Sequence, residues 1–104
     1  MDAFEAISDP TRRRLIELLS EREHQAGELA EHFDVSFPAI SQQLRILTEA
    51  QLVQSRRDGR YRIYRVRPEN LEPVADWLAT YAHRFWTRKL TGLAKTLARL
   101  KHES

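Results

Sequence analysis

Six arginines, Arg56, Arg57, Arg60, Arg62, Arg65 and Arg67, stand within twelve consecutive positions, with Asp58 the only acid among them. A guanidinium holds its charge at any physiological pH and presents a planar fork of donors matched to phosphate. Arginines on a two-stranded ribbon can also simply keep an exposed edge soluble, but that accounts for two or three of them and not six. The chemistry open to this cluster is attraction of a polyanion, with Arg56, Arg57, Arg60 and Arg62 grouped around Gly59 to straddle phosphates or enter a minor groove. Upstream, Ser36, Phe37, Pro38, Ser41, Gln42 and Arg45 form a second group. The Gln42 amide can pair bidentately with adenine N6 and N7, and Ser41 can donate or accept at a base or phosphate. Phe37 and Pro38 offer only apolar contact, such as to a thymine methyl, and Arg45 suits a phosphate. Tyr61 and Tyr64 interleave with the arginines and could stack on bases, although strand packing is the preferred reading.

Other chemistries are short of residues. The 104-residue chain has no cysteine, so disulfides, thiolate metal sites and thiol nucleophiles are excluded. Three glycines, Gly27, Gly59 and Gly92, cannot build a glycine-rich phosphate loop. Of the four histidines, His83 shares a helix face with Asp76, and two ligands do not make a zinc site. Ser41 has no neighbouring base, so no enzyme constellation and no cofactor is expected. No apolar run reaches the roughly 20 residues of a membrane span and the N-terminus shows no signal-peptide core, so a cytoplasmic location is expected.

The net charge of +2 conceals a partition. Residues 1–35 carry 9 acidic and 4 basic side chains, residues 36–67 carry 2 and 7, and residues 68–104 carry 4 and 6. The length expects one domain spanning 1–104.

The elements that must position these groups follow from capping and periodicity. A short helix over Ala3 to Ile7 stops at Ser8-Asp9-Pro10, where Asp9 caps a second helix and Pro10 takes its first position. That helix runs to about Ser20 and buries Leu15, Leu18 and Leu19, and Glu21 to Gln25 reads as a loop or frayed end. Ala26 to Phe33 reads as a third helix, Asp34-Val35-Ser36 as a tight connector, and a fourth helix starts near Ser36 with Pro38 in its first turn. Ile40, Leu44 and Leu47 make its buried stripe and leave Ser41, Gln42 and Arg45 on the open side. This is the helix-turn-helix pattern. Leu52 to Arg57 and Arg60 to Val66 read as strands joined by Asp58-Gly59, a hairpin that forms a wing. Pro68 to Leu71 restarts helix, and from Pro73 to about Lys101 the chain reads as one long helix. The fold class is therefore mainly α with a small β-hairpin, a winged helix-turn-helix of order α-α-α-α-β-β-α.

The long helix carries more apolar surface than so small a core can cover: Trp77, Leu78, Tyr81, Phe85, Trp86, Leu90, Leu93, Leu97 and Leu100. A symmetric homodimer is the default solution, with Phe4 and Ile7 of the first helix as the nearest additional apolar surface. A winged-helix module that binds protein and not DNA, and a ligand- or metal-responsive regulator, are the competing readings. The arginine hairpin opposes the first and the missing ligand clusters oppose metal sensing.

Three strings, AISDPTRRRLIELL (Ala6 to Leu19), AGELAEHFDVSFPAISQQLRIL (Ala26 to Leu47) and DGRYRIYRV (Asp58 to Val66), resemble the ArsR/SmtB winged-helix transcriptional regulators across essentially the whole chain. The resemblance implies a dimeric repressor, paired through its first and last helices, on an inverted repeat in double-stranded DNA near its own promoter. It places the recognition contacts on Phe37, Pro38, Ser41 and Gln42 and the wing on Arg57 to Arg62. Phe37 and Pro38 depart from the polar readers common there. Metal-sensing members carry paired cysteines at the start of the third helix, where Gln25 and Gly27 stand in this chain, and others carry Asp/His and His/Glu pairs on the last helix, which here has only Asp76 and His83. The chain is thus similar to the metal-independent, autorepressor-like branch.

Overall fold

Two aspartates start the first two helices. Asp2 Oδ1 accepts from the Glu5 amide at 2.8 Å and opens α1 (Ala3–Ala6). Asp9 Oδ2 accepts from the Arg12 amide at 3.0 Å and opens α2 (Pro10–Glu21), with Pro10 in the first turn as the sequence requires. The structure, a computed structural model, describes residues 1–103.

After α2 the chain departs from the expected loop. His24–Gln25 forms a short strand, β1, followed directly by α3 (Ala26–Ala30). Gln25 and Glu28 close a capping box across the junction, the Gln25 amide donating to Glu28 Oε1 at 3.1 Å. α3 is shorter than Ala26 to Phe33, ending at Ala30 with Glu31 as its cap, although Phe33 still packs partly against the core. The connection into the next helix is therefore longer than three residues. Ser36 then caps α4 (Phe37–Glu49), its Oγ accepting from the Ala39 amide at 3.3 Å. At the other end Gln51 takes a left-handed φ of 63°, and the Leu52 amide donates to the Leu47 carbonyl at 3.0 Å, which stops the helix and turns the chain into the sheet. The Asn70 side-chain amide donates to the Gln51 carbonyl at 2.7 Å and holds this corner.

β2 (Val53–Asp58) and β3 (Tyr61–Val66) pair antiparallel, and β1 adds to the other side of β3, giving the order β1-β3-β2. Asp58 lies opposite Tyr61, so the two-residue loop is Gly59-Arg60 and not Asp58-Gly59. Gly59 carries a φ of 64° at the first loop position, where a glycine tolerates what a side chain would resist, and Arg60 needs no such conformation. A 3-10 turn over Pro68–Leu71 leads into α5 (Glu72–Glu103).

The chain divides into two compact units, Met1–Glu72 and Pro73–Ser104. In the first, Ala6, Leu15, Leu18, Leu19, Leu29, Ile40, Leu44, Leu47, Leu52 and Val53 are buried together, joined by Ile16, and each fully buried leucine removes apolar surface worth about 1.5–3 kcal/mol from water. The α4 stripe of Ile40, Leu44 and Leu47 is at 0% exposure, so this helix is fixed by one face and presents the other. The second unit is α5, whose large apolar side chains stand between 48% (Tyr81) and 61% (Leu90) exposed from Trp77 to Leu100. The order of elements is that of a winged helix, with β1 as the addition that sequence reading missed.

Candidate nucleic-acid interface

The first turns of α4 are open. Phe37 (52% exposed), Pro38 and Gln42 are solvent-exposed, and Ser41 is half-buried. Ser36 serves first as the helix cap through its hydroxyl. Arg45 Nε lies 3.2 Å from Glu49 Oε1, an exposed pair within one helix that contributes only a few tenths of a kcal/mol and exchanges readily for a phosphate.

The wing divides its arginines by strand register. Arg57 stands directly opposite Arg62 on one face, with Arg56 opposite Ile63 on the other. Like charges in register across a ladder are unfavourable, and an anion between them removes that cost. Arg62 Nη1 is tethered to Ser55 Oγ at 3.0 Å. Arg56 is already engaged, its Nη2 lying 2.8 Å from Glu23 Oε2. The hydrogen bond from Arg56 holds the Glu23 carboxyl below the usual carboxylate range, and the same bond raises Arg56. Arg60 sits exposed at the loop tip beside Gly59.

A hollow of about 420 Å³ brings the two groups together: Phe37 and Ser41 from α4, Arg60, Tyr61, Arg62 and Tyr64 from the wing, and Gln25, Ala26 and Gly27 from the start of α3. Tyr64 packs against the core as expected of a strand residue, whereas Tyr61 is 51% exposed on the hollow's rim. A cleft with a hydroxyl, an amide and two guanidiniums on its walls suits a sugar–phosphate strand running between the helix and the wing. Gln25 was not legible as a member of this hollow, nor Glu23 as the partner of Arg56, because β1, which carries the one and follows the other, is two residues long and leaves no local signal.

The histidines divide too. His24 is 4% exposed on β1 opposite Tyr64, with Nδ1 3.5 Å from Glu28 Oε2 and its ring edge-on to His32 at 6.5 Å. Among the described residues no three His, Asp or Glu side chains gather where a metal could be held. No helix is long and apolar enough to cross a membrane among the described residues.

A helix-turn-helix followed by an arginine-bearing wing defines a DNA-binding winged-helix protein. The sequence profile of the family described as bacterial regulatory protein, arsR family, matches residues 9–55. The chain is 36% identical over 83 residues to the transcriptional repressor SdpR of Bacillus subtilis, covering 80% of this chain and 92% of that one. It is 42% identical over 95 residues to the HTH-type transcriptional regulator Rv2034 of Mycobacterium tuberculosis, covering 91% and 85%. Among solved structures, a possible transcriptional regulator for arsenical resistance superposes with a TM-score of 0.72 at 46% identity, over 78% of this chain and 84% of that one. The chain belongs to the ArsR family and is a DNA-binding transcriptional repressor.

Proposed function

We propose that the protein is a dimeric repressor that occupies an inverted-repeat operator near its own promoter and blocks transcription by occlusion. Ser41 and Gln42 read bases in the major groove from the open side of α4, Phe37 and Pro38 make apolar contact, and Arg45 takes a phosphate. Arg57, Arg60 and Arg62 grip the backbone from the wing, with Arg56 joining them when Glu23 releases it. The observation that supports this reading is the cleft lined by Ser41 of α4 and by Arg60 and Arg62 of the wing.

Two copies pair through the α5 stripe (Trp77, Leu78, Tyr81, Phe85, Trp86, Leu90, Leu93 and Leu97) together with Phe4 and Ile7 of α1. The exposed aromatic and leucine rows of α5 support this, being more apolar surface than a soluble chain leaves in water. The protein acts without a metal: arsenite and the soft metals need thiolates, and the sequence has no cysteine. It catalyses no reaction and works in the cytoplasm, where its operator lies.

Selection of bound sequences from a random duplex pool tests the reading. Recovery of an inverted repeat with half-sites about 34 Å apart, or a multiple of one helical turn, is the expected outcome. Recovery of no common sequence overturns it.

A further inference from the structure

Arg12 uses one guanidinium on two elements. Its Nε donates to the Ala6 carbonyl at 2.6 Å and its Nη2 to the Glu5 carbonyl at 3.2 Å. These are terminal carbonyls of the four-residue helix α1, and that of Glu5 also accepts from the Ser8 amide and hydroxyl. Its Nη1 donates to Oε1 of Gln43 at 3.1 Å, in a partly buried contact. Gln43 lies on α4, next to Gln42. The base of this fork is firm, because the Arg12 backbone amide is itself bonded to the Asp9 cap of α2.

Among the described residues, the other side-chain hydrogen bonds of α4 beyond its Ser36 cap do not leave the helix. Arg45–Glu49 and Thr48 Oγ1 to the Leu44 carbonyl stay within the helix. The buried stripe of Ile40, Leu44 and Leu47 fixes depth, since apolar burial is non-directional and roughly proportional to area. Its close packing excludes a large rotation about the helix axis, and a rotation of a few degrees, which uncovers little area, is left to directional contacts. A charge-assisted hydrogen bond is directional, and at a partly buried site it is stronger than on open surface.

We propose that Arg12 is a positioning residue that sets the angle of α4, and so the aim of Gln42, while holding α1, the element proposed to join the dimer surface. It touches no DNA. The inference rests on α4 being the base reader. It makes the geometry of α1 and the sequence preference of α4 parts of one hydrogen-bonded unit.

The test uses the full chain, a duplex selected by the wild-type protein from a random pool, and a random duplex of equal length. Gln43→Leu removes the acceptor and leaves both α1 bonds of Arg12 in place. It is expected to lower affinity for the selected duplex about fivefold, with random-duplex affinity and salt slope unchanged. Arg12→Lys keeps the charge, loses the fork and is expected to give at least the same loss of discrimination. The double variant should discriminate no worse than Arg12→Lys, because both remove one interaction. A merely structural role lowers both affinities together through the unfolded fraction, so the ratio of the two is the deciding readout, with thermal melts run beside it. If Arg12→Lys does not fold, Gln43→Leu alone decides. Wild-type discrimination in Gln43→Leu, or losses that multiply in the double variant, overturns the proposal while leaving the DNA reading intact. A wild-type protein that selects no sequence overturns both.

Discussion

Glu23 Oε2 and Arg56 Nη2 meet at 2.8 Å, so one of the six wing arginines is held by a carboxylate from the segment just before β1. Arg56 stands midway along the hairpin, opposite Ile63, and both side chains of the pair are about half exposed. It links the wing to the segment between α2 and β1 and occupies one of the wing's cations. Arg57 and Arg60, nearer the tip, have no such partner among the described hydrogen bonds and ion pairs.

Glu23→Gln is expected to release Arg56, tightening random-duplex binding and steepening the salt dependence by about one unit of log–log slope for the added phosphate contact. The pH dependence follows from the direction of the shift. Glu23 in the folded protein lies below the usual carboxylate range because Arg56 donates to it, so the pair's contribution is complete above that range and is lost as pH falls through the depressed value. Wild type and Glu23→Gln should therefore differ in salt slope at neutral pH and converge in acid. Salt titrations at two pH values read this directly, and identical slopes at neutral pH would contradict it.

Reader and anchor separate by mutation. Gln42→Ala should cost about 1–3 kcal/mol on the operator per contact and relax the preference at one position per half-site. Arg60→Ala should weaken operator and random DNA alike and lower the salt slope by about one unit per lost phosphate contact. Binding to an operator series with single-base changes distinguishes them, and a preference that survives Gln42→Ala but vanishes in Arg60→Ala would make the wing the reader.

Dimerisation is measured by sedimentation. The protein at micromolar concentration is expected at about twice its 12.2 kDa mass, because the α5 rows demand a cover. Replacing Phe85 and Leu93 with serine should give a monomer with weakened operator binding, since each half-site then binds alone. A well-folded wild-type monomer is the outcome that defeats this architecture.

Zinc, cadmium or arsenite at low micromolar concentration is expected to change operator affinity by less than about twofold, given a chain without thiolates. Titration with and without chelator checks it. Release of the duplex by any of the three would locate a site built from histidine and carboxylate.

The helices were legible because their signals are local. Asp9-Pro10, Ser36 with Pro38, and the Ile40, Leu44, Leu47 spacing each mark a cap or a buried face within a few residues of itself, and the structure places all of them as read. Runs in part β-branched and aromatic, with Asp58-Gly59 between them, sufficed for the hairpin. Its loop fell one residue later than expected because register is settled by pairing, here Asp58 opposite Tyr61, and a sequence pattern does not specify which residue of a turn faces which.

By itself, then, the sequence determined the order of the helices and the hairpin, the buried stripe of α4 and the concentration of positive charge between Arg56 and Arg67, since each depends on neighbours along the chain. Only the tertiary structure decided that His24–Gln25 becomes a third strand against Tyr64 and Ile63, that Glu23 holds Arg56, that Arg12 reaches Gln43, and that Ser41 shares a cleft with Arg60 and Arg62. Those contacts join residues far apart in the chain, and a two-residue strand or a single ion pair draws its stability from a partner that no local pattern announces.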